Sequence, residues 1–180
     1  MIKCYAKLFG LLSFFFFLGT LAANLNMFEG TDSILEGLLS SLFFGAVTAA
    51  VIGTMHINRV RALAGGRREG DIYAASQTAE VRLPVDPIRA FHLVSHYFRE
   101  VARFEVTGSD QIGGRISART PLVLFKTLGN TVTAELRAQE GGTLVILSSS
   151  PVLTSGIPDY GTTLKIIMDA ENFLKAGARR

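Results

Sequence analysis

From Leu8 to Phe28 this chain carries no ionisable side chain, and Phe14 to Phe17 is an unbroken aromatic run. A second apolar stretch, from about Leu38 to Ile57, holds no Asp, Glu, Lys or Arg. The hydrocarbon core of a bilayer is about 30 Å thick and needs about 20 helical residues at 1.5 Å each. Both stretches meet that length. They predict two transmembrane helices, about 8–28 and 38–57, forming a hairpin over residues 1–58.

The flanks set an orientation. Lys3 and Lys7 precede the first helix, and Arg59, Arg61, Arg67 and Arg68 follow the second. The link between them carries Glu29, Asp32 and Glu36 but no Lys or Arg. Cytoplasmic segments are the ones enriched in basic residues, so both termini are expected on the cytoplasmic side of a bacterial inner membrane. A cleaved signal peptide is the rival reading, with Leu8 to Leu18 as its apolar region and Thr20-Leu21-Ala22 before the cut. The second helix would then still cross with its arginines inside. Neither span contains an acidic or basic side chain of the kind that marks an ion path, so transport by this chain alone is not expected.

Gly45, Ala49 and Gly53 recur every fourth residue and share one face of the second helix. Small residues at that spacing let two helix backbones approach closely. The partner is either the first helix, through Gly19 and Ala23, or another subunit. The stripe therefore also leaves open a homo-oligomer or a larger membrane protein complex.

After His56 the sequence reads as an ordinary globular one. Residues 59–71 form a short basic linker with Gly65-Gly66 and Arg67-Arg68, and 72–180 a cytoplasmic domain. The net charge of +3 is mild and the phenylalanines sit at core-like positions, so nucleic acid is not an expected partner. The single cysteine, Cys4, excludes an intrachain disulfide and a cysteine-based zinc site.

Within the domain the apolar period is two along Ala79, Val81, Leu83 and Val85, which predicts a half-buried strand. Asp86-Pro87 opens a helix, with Asp at the cap and Pro at the first turn. Its apolar face is Phe91, Val94, Phe98 and Val101. Short strands follow: one at Phe104 and Val106, then a turn at Gly108-Ser109-Asp110 into another with Ile112, Ile116 and Ala118. Alternation along Val132 to Ala138, a turn at Glu140-Gly141-Gly142 and a return through Leu144, Ile146 and Ser148 predict a hairpin. A last helix begins near Thr162, with Ile166, Ile167, Ala170, Phe173 and Leu174 on one face. Antiparallel strands with helices at the two ends give an α+β class.

This order, with the stretch Thr143 to Leu174, its Ser148-Ser149-Ser150-Pro151 strand end and the Asp159-Tyr160-Gly161 turn before a helix, resembles the helix-grip fold. The likeness is to the START and birch-pollen-allergen type, and to small bacterial membrane-associated families built on it. The resemblance implies an apolar ligand held between sheet and C-terminal helix.

Candidate contact residues are of two kinds. Arg89, His92, His96, Arg99 and Arg103 form a basic stripe suited to lipid phosphates or an acidic partner, or simply a solvated face. His92 and His96 have the i, i+4 spacing of a metal pair, but the neighbouring arginines repel a cation and no third ligand is evident, so no metal or other cofactor is expected. Leu122, Val123, Leu124 and Phe125 form an apolar run, read either as a buried strand or as a loop lining a pocket or dipping into the membrane. Ser148 to Ser150 lack a nucleophile elbow, and no catalytic constellation is evident. The expected function is non-enzymatic: a membrane-tethered module for a lipid, another apolar ligand or an acidic partner. The alternative is a structural accessory subunit of a membrane complex.

Overall fold

A computed structural model describes residues 2–24, 32–65, 72–121, 129–152 and 161–179. The chain divides into two compact units, one holding residues up to Ala62 and the other beginning at Leu63.

The first unit contains two helices, α1 (Ile2–Asn24) and α2, whose full extent is Asp32–Ala64. Both are long and apolar enough to cross a membrane. Residues 59–64, read above as linker, continue α2, because nothing from His56 to Ala64 breaks a helix. The helices meet as an antiparallel pair: the Tyr5 hydroxyl lies 3.1 Å from Thr54 Oγ1, and the Phe16 and Phe44 rings stack at 4.3 Å.

The second unit is a five-stranded antiparallel sheet with helices packed on one face. Its strands are β1 (Gln77–Leu83), β2 (Glu105–Asp110), β3 (Arg115–Arg119), β4 (Asn130–Gln139) and β5 (Gly142–Pro151). They lie in the order β1-β5-β4-β3-β2. The α+β expectation holds. Between β1 and β2 run α3 (Pro87–His96) and one π-helical turn, Tyr97–Val101; α4 (Thr162–Gly177) follows β5.

Register explains the core. Val81 pairs with Val145 and Val145 with Leu136; one step on, Ala79 pairs with Leu147 and Leu147 with Ala134. These side chains point to the same face, since strand side chains alternate. That face packs directly on Phe91, Val94 and Phe98 from the first helical segment and on Ile167, Ala170 and Leu174 from α4. Full burial of such a side chain contributes about 1.5–3 kcal/mol.

Two local expectations are corrected. Gly108 to Asp110 belong to β2, which carries a bulge between Val106 and Gly108, and the turn comes later. Ile112 sits in that turn, fully exposed, rather than in a strand. Gly114 there has φ 63, and a Cβ would stand 2.7 Å from the Leu136 carbonyl oxygen, so the site admits only glycine comfortably.

Candidate functional site

The π turn is the local feature from which the site follows. Asp86 starts α3 by accepting a 2.9 Å hydrogen bond from the Arg89 backbone N–H at its carboxylate. That bond holds the Asp86 carboxyl below the usual carboxylate range. Ten residues later the pattern widens, and the Ala102 N–H donates to the Tyr97 carbonyl at 2.8 Å, five residues back. An extra residue in one turn rotates everything after it. Tyr97 and Phe98 are both buried as a result, while Val101, expected on the apolar face, is half exposed.

The chain then reverses. Arg103 takes φ 54, the left-handed region, and the Phe104 N–H donates to the Phe98 carbonyl at 2.7 Å. This folds the Phe104 ring back to 6.4 Å from Tyr97, edge-on, and 5.9 Å from Phe98. Opposite lies a second face of α4, one step around from the buried one. It presents Ile166, Asp169 and Phe173, spaced three and four apart as one helix face requires. The Tyr97 and Phe173 rings lie 5.1 Å apart.

Between these walls is an open groove of about 530 Å³. Tyr97, Val101 and Phe104 line one side, and Ile166, Asp169 and Phe173 the other, with Lys165 and Asn172 beside them. The Lys165 ammonium pairs with Asp169 one turn on, with both groups about half exposed. Burial, and then the negative charge of Asp169, push the Tyr97 phenol up to about 12. Such a groove can hold an apolar body on its rings and meet one polar group with a phenol, a carboxylate and an amide.

Among the described residues, Ile116, Val132, Leu147, Phe98, Ile167 and Leu174 pack between the sheet and the helices, each at most 2% exposed. The groove lies beside this core, along the outer flank of α4.

The structure places the sequence candidates differently. Arg89, His92 and His96 share an exposed face of α3. Arg99 lies within the π turn, which rotates it away from that line, and Arg103 lies beyond it at positive φ. The His96 ring approaches Phe173 at 6.0 Å. Among the described residues no three His, Cys, Asp or Glu side chains gather as a metal site. Leu122, Val123, Leu124 and Phe125 lie outside the described residues. Gly45 and Gly53 face α1: a Cβ on Gly45 would collide with Ser13, and one on Gly53 with the Tyr5 ring. Ala49, between them, is buried, whereas Gly19 has open space around it.

No model of a known protein family matches this chain. No curated protein matches it either. Solved structures that are distantly similar include the following three. Ara h 8.0201 shares 12% identity at a TM-score of 0.38, covering 58% of this chain and 95% of its own. TTHA0849 from Thermus thermophilus shares 21% at 0.32, covering 58% and 94%. The di-domain ARO/CYC StfQ from the steffimycin biosynthetic pathway shares 11% at 0.36, covering 84% and 61%.

Val101, Phe104, Ile166 and Phe173 were read from sequence as apolar positions of helices and strands, not as a site. The signal available was Tyr97, an amphipathic residue beside Phe98 and outside the expected apolar face, together with the Lys165 and Asp169 pair flanking Ile166. Neither specifies a groove without the π turn, which no residue in Tyr97 to Val101 announces.

Proposed function

We propose that this chain is a membrane-tethered binding module whose second unit holds a small, mainly apolar ligand at the cytoplasmic surface. The observation that carries the reading is the groove between the π turn and α4. Its volume is of the order of small-molecule sites, about 300–1,000 Å³, and it joins aromatic walls to a few polar groups. The two long apolar helices support the tether, and the basic residues at their outer ends support the cytoplasmic placement. The reading is of binding, not catalysis. The accessory-subunit alternative is less favoured, because Gly45 and Gly53, its recruiting residues, are in contact with α1.

Two measurements test the proposal. The full chain, purified in mild detergent, is extracted with organic solvent and its bound compounds are identified by mass spectrometry. The Ile166→Trp variant, which fills the groove, is treated identically. An apolar compound present in the wild type and lost in the variant supports the reading; the same compounds in both, or none, defeat it. For placement, Glu140→Cys in a Cys4→Ser background is exposed to an impermeant thiol reagent in intact cells. Labelling there overturns the cytoplasmic assignment.

A further inference from the structure

The polar groups that line the groove narrow what it can hold. Tyr97 supplies a buried phenol, which both donates and accepts a hydrogen bond. Asp169 supplies a carboxylate, which only accepts, and its charge is matched by Lys165 within the same helix. The walls around them are the Tyr97, Phe104 and Phe173 rings and Ile166, with Lys165, Asn172 and Thr162 also on the lining.

Each head-group charge has a different consequence here. An anion would lose water against aromatic walls and stand beside the Asp169 carboxylate, with Lys165, shared with Asp169, as the one cation among the described lining residues. Asp169 is half exposed, so its field is partly screened, yet it acts in the same direction as the burial. A cation would meet Asp169 favourably but would compete with Lys165, which is tethered one turn away. A hydroxyl carries one donor and acceptor capacity, the complement of this pair, and costs far less to desolvate than an ion.

Resting on the binding reading above, we infer that the groove takes an uncharged ligand, an apolar body ending in a hydroxyl group that accepts from Tyr97 and donates to Asp169. The upward shift of the Tyr97 phenol to about 12 has the same two causes, burial and the charge of Asp169. Both disfavour a negative charge at this spot, whether it belongs to the phenol or to a ligand.

The chain contains no tryptophan, so naphthalene fluorescence can be read without background from indole. The probes are 2-naphthalenemethanol, 2-naphthoate and 2-naphthylmethylammonium, which share one apolar body and differ in head-group charge. Each is titrated into the full chain in phosphatidylcholine nanodiscs, with empty nanodiscs subtracting partition into lipid. The alcohol is expected to bind about tenfold tighter than the carboxylate, the size of one hydrogen bond to a charged group. Asp169→Asn, which keeps side-chain size, is expected to close most of that gap. Tyr97→Phe removes a donor that either head group can use and is expected to weaken the alcohol without closing the gap. Wild-type discrimination retained in Asp169→Asn, or alcohol affinity unchanged in Tyr97→Phe, overturns the inference. So does a carboxylate or ammonium probe that binds as tightly as the alcohol and is excluded by Ile166→Phe, which narrows the groove without adding an indole, a result that leaves the groove as a binding site. If none of the probes binds above empty nanodiscs, the groove reading falls, and this inference with it.

Discussion

The Tyr97 and Phe173 rings lie 5.1 Å apart and tilted by 36°, and this contact ties the π turn to α4. Offset aromatic pairs contribute about 0.5–1.5 kcal/mol beyond the area they bury. A double-mutant cycle with Tyr97→Leu and Phe173→Leu is therefore expected to show coupling of that size, read from unfolding in detergent. Additive losses would mean that each ring packs against its own element only.

The π turn itself has a sharp consequence for stability. Phe98 is fully buried and Val101, three residues on, is half exposed, although an uninterrupted α-helix would place both on one face. Phe98→Ala is expected to cost about 3–5 kcal/mol. Val101→Ala is expected to stay within about 0.5 kcal/mol, as at other exposed positions. Comparable losses at the two positions would restore a regular helix through this segment.

These two residues also show how far the sequence was legible. Phe91, Val94 and Phe98 are spaced for a helix face, and the structure buries all three. Alternation along Val132 to Ala138 located β4 for the same reason, because side-chain period follows directly from strand geometry. The π turn left no such mark. It depends on how the chain closes onto Phe104 through Arg103 at positive φ, which is a tertiary constraint rather than a local preference. The groove depends on that turn, so its residues were invisible as a group, and the same turn takes Arg99 and Arg103 off the line that Arg89, His92 and His96 share on α3.

Alkaline titration should report the Tyr97 environment. Its phenol is pushed above its ordinary value of 10 to about 12, so its contribution to stability is complete below pH 10. As pH rises from there the unfolded chain ionises first, and the contribution is lost through about 12. The difference in phenolate absorbance between wild type and Tyr97→Phe is expected to show a step near that upper value. Asp169→Asn is expected to move the step downward, and an unmoved step would mean that burial alone sets it.

Acid acts through carboxylates of the opposite sense. Asp86 is held low chiefly by the Arg89 backbone N–H, and Glu135 chiefly by its hydrogen bond from Arg115. A lowered folded value means stability present above the unfolded value, about 4, and lost as pH falls through the folded one. Asp86→Asn keeps a good helix cap but removes the titration. The variant is expected to melt near the wild-type temperature at pH 7 and to lose less on acidification. An identical acid profile would remove Asp86 as a contributor.

The hairpin offers a test with an internal control. A Cβ at Gly45 would run into the Ser13 side chain and within 3.0 Å of its backbone nitrogen, so the two helices touch there nearly backbone to backbone. Packing, not the exclusion of water, holds helices together in lipid, so close approach is what a larger residue removes. Gly45→Leu is expected to lower stability in detergent by about 1–3 kcal/mol, the range for overpacking. Gly19, on α1, has nothing within 4 Å of its Cβ position. Gly19→Leu is accordingly expected to stay within about 0.5 kcal/mol of wild type. Melting followed by circular dichroism separates the two outcomes. Equal effects at both glycines would mean that backbone flexibility, rather than the Ser13 contact, decides the cost, and would withdraw the Gly45 face from the interface between α1 and α2.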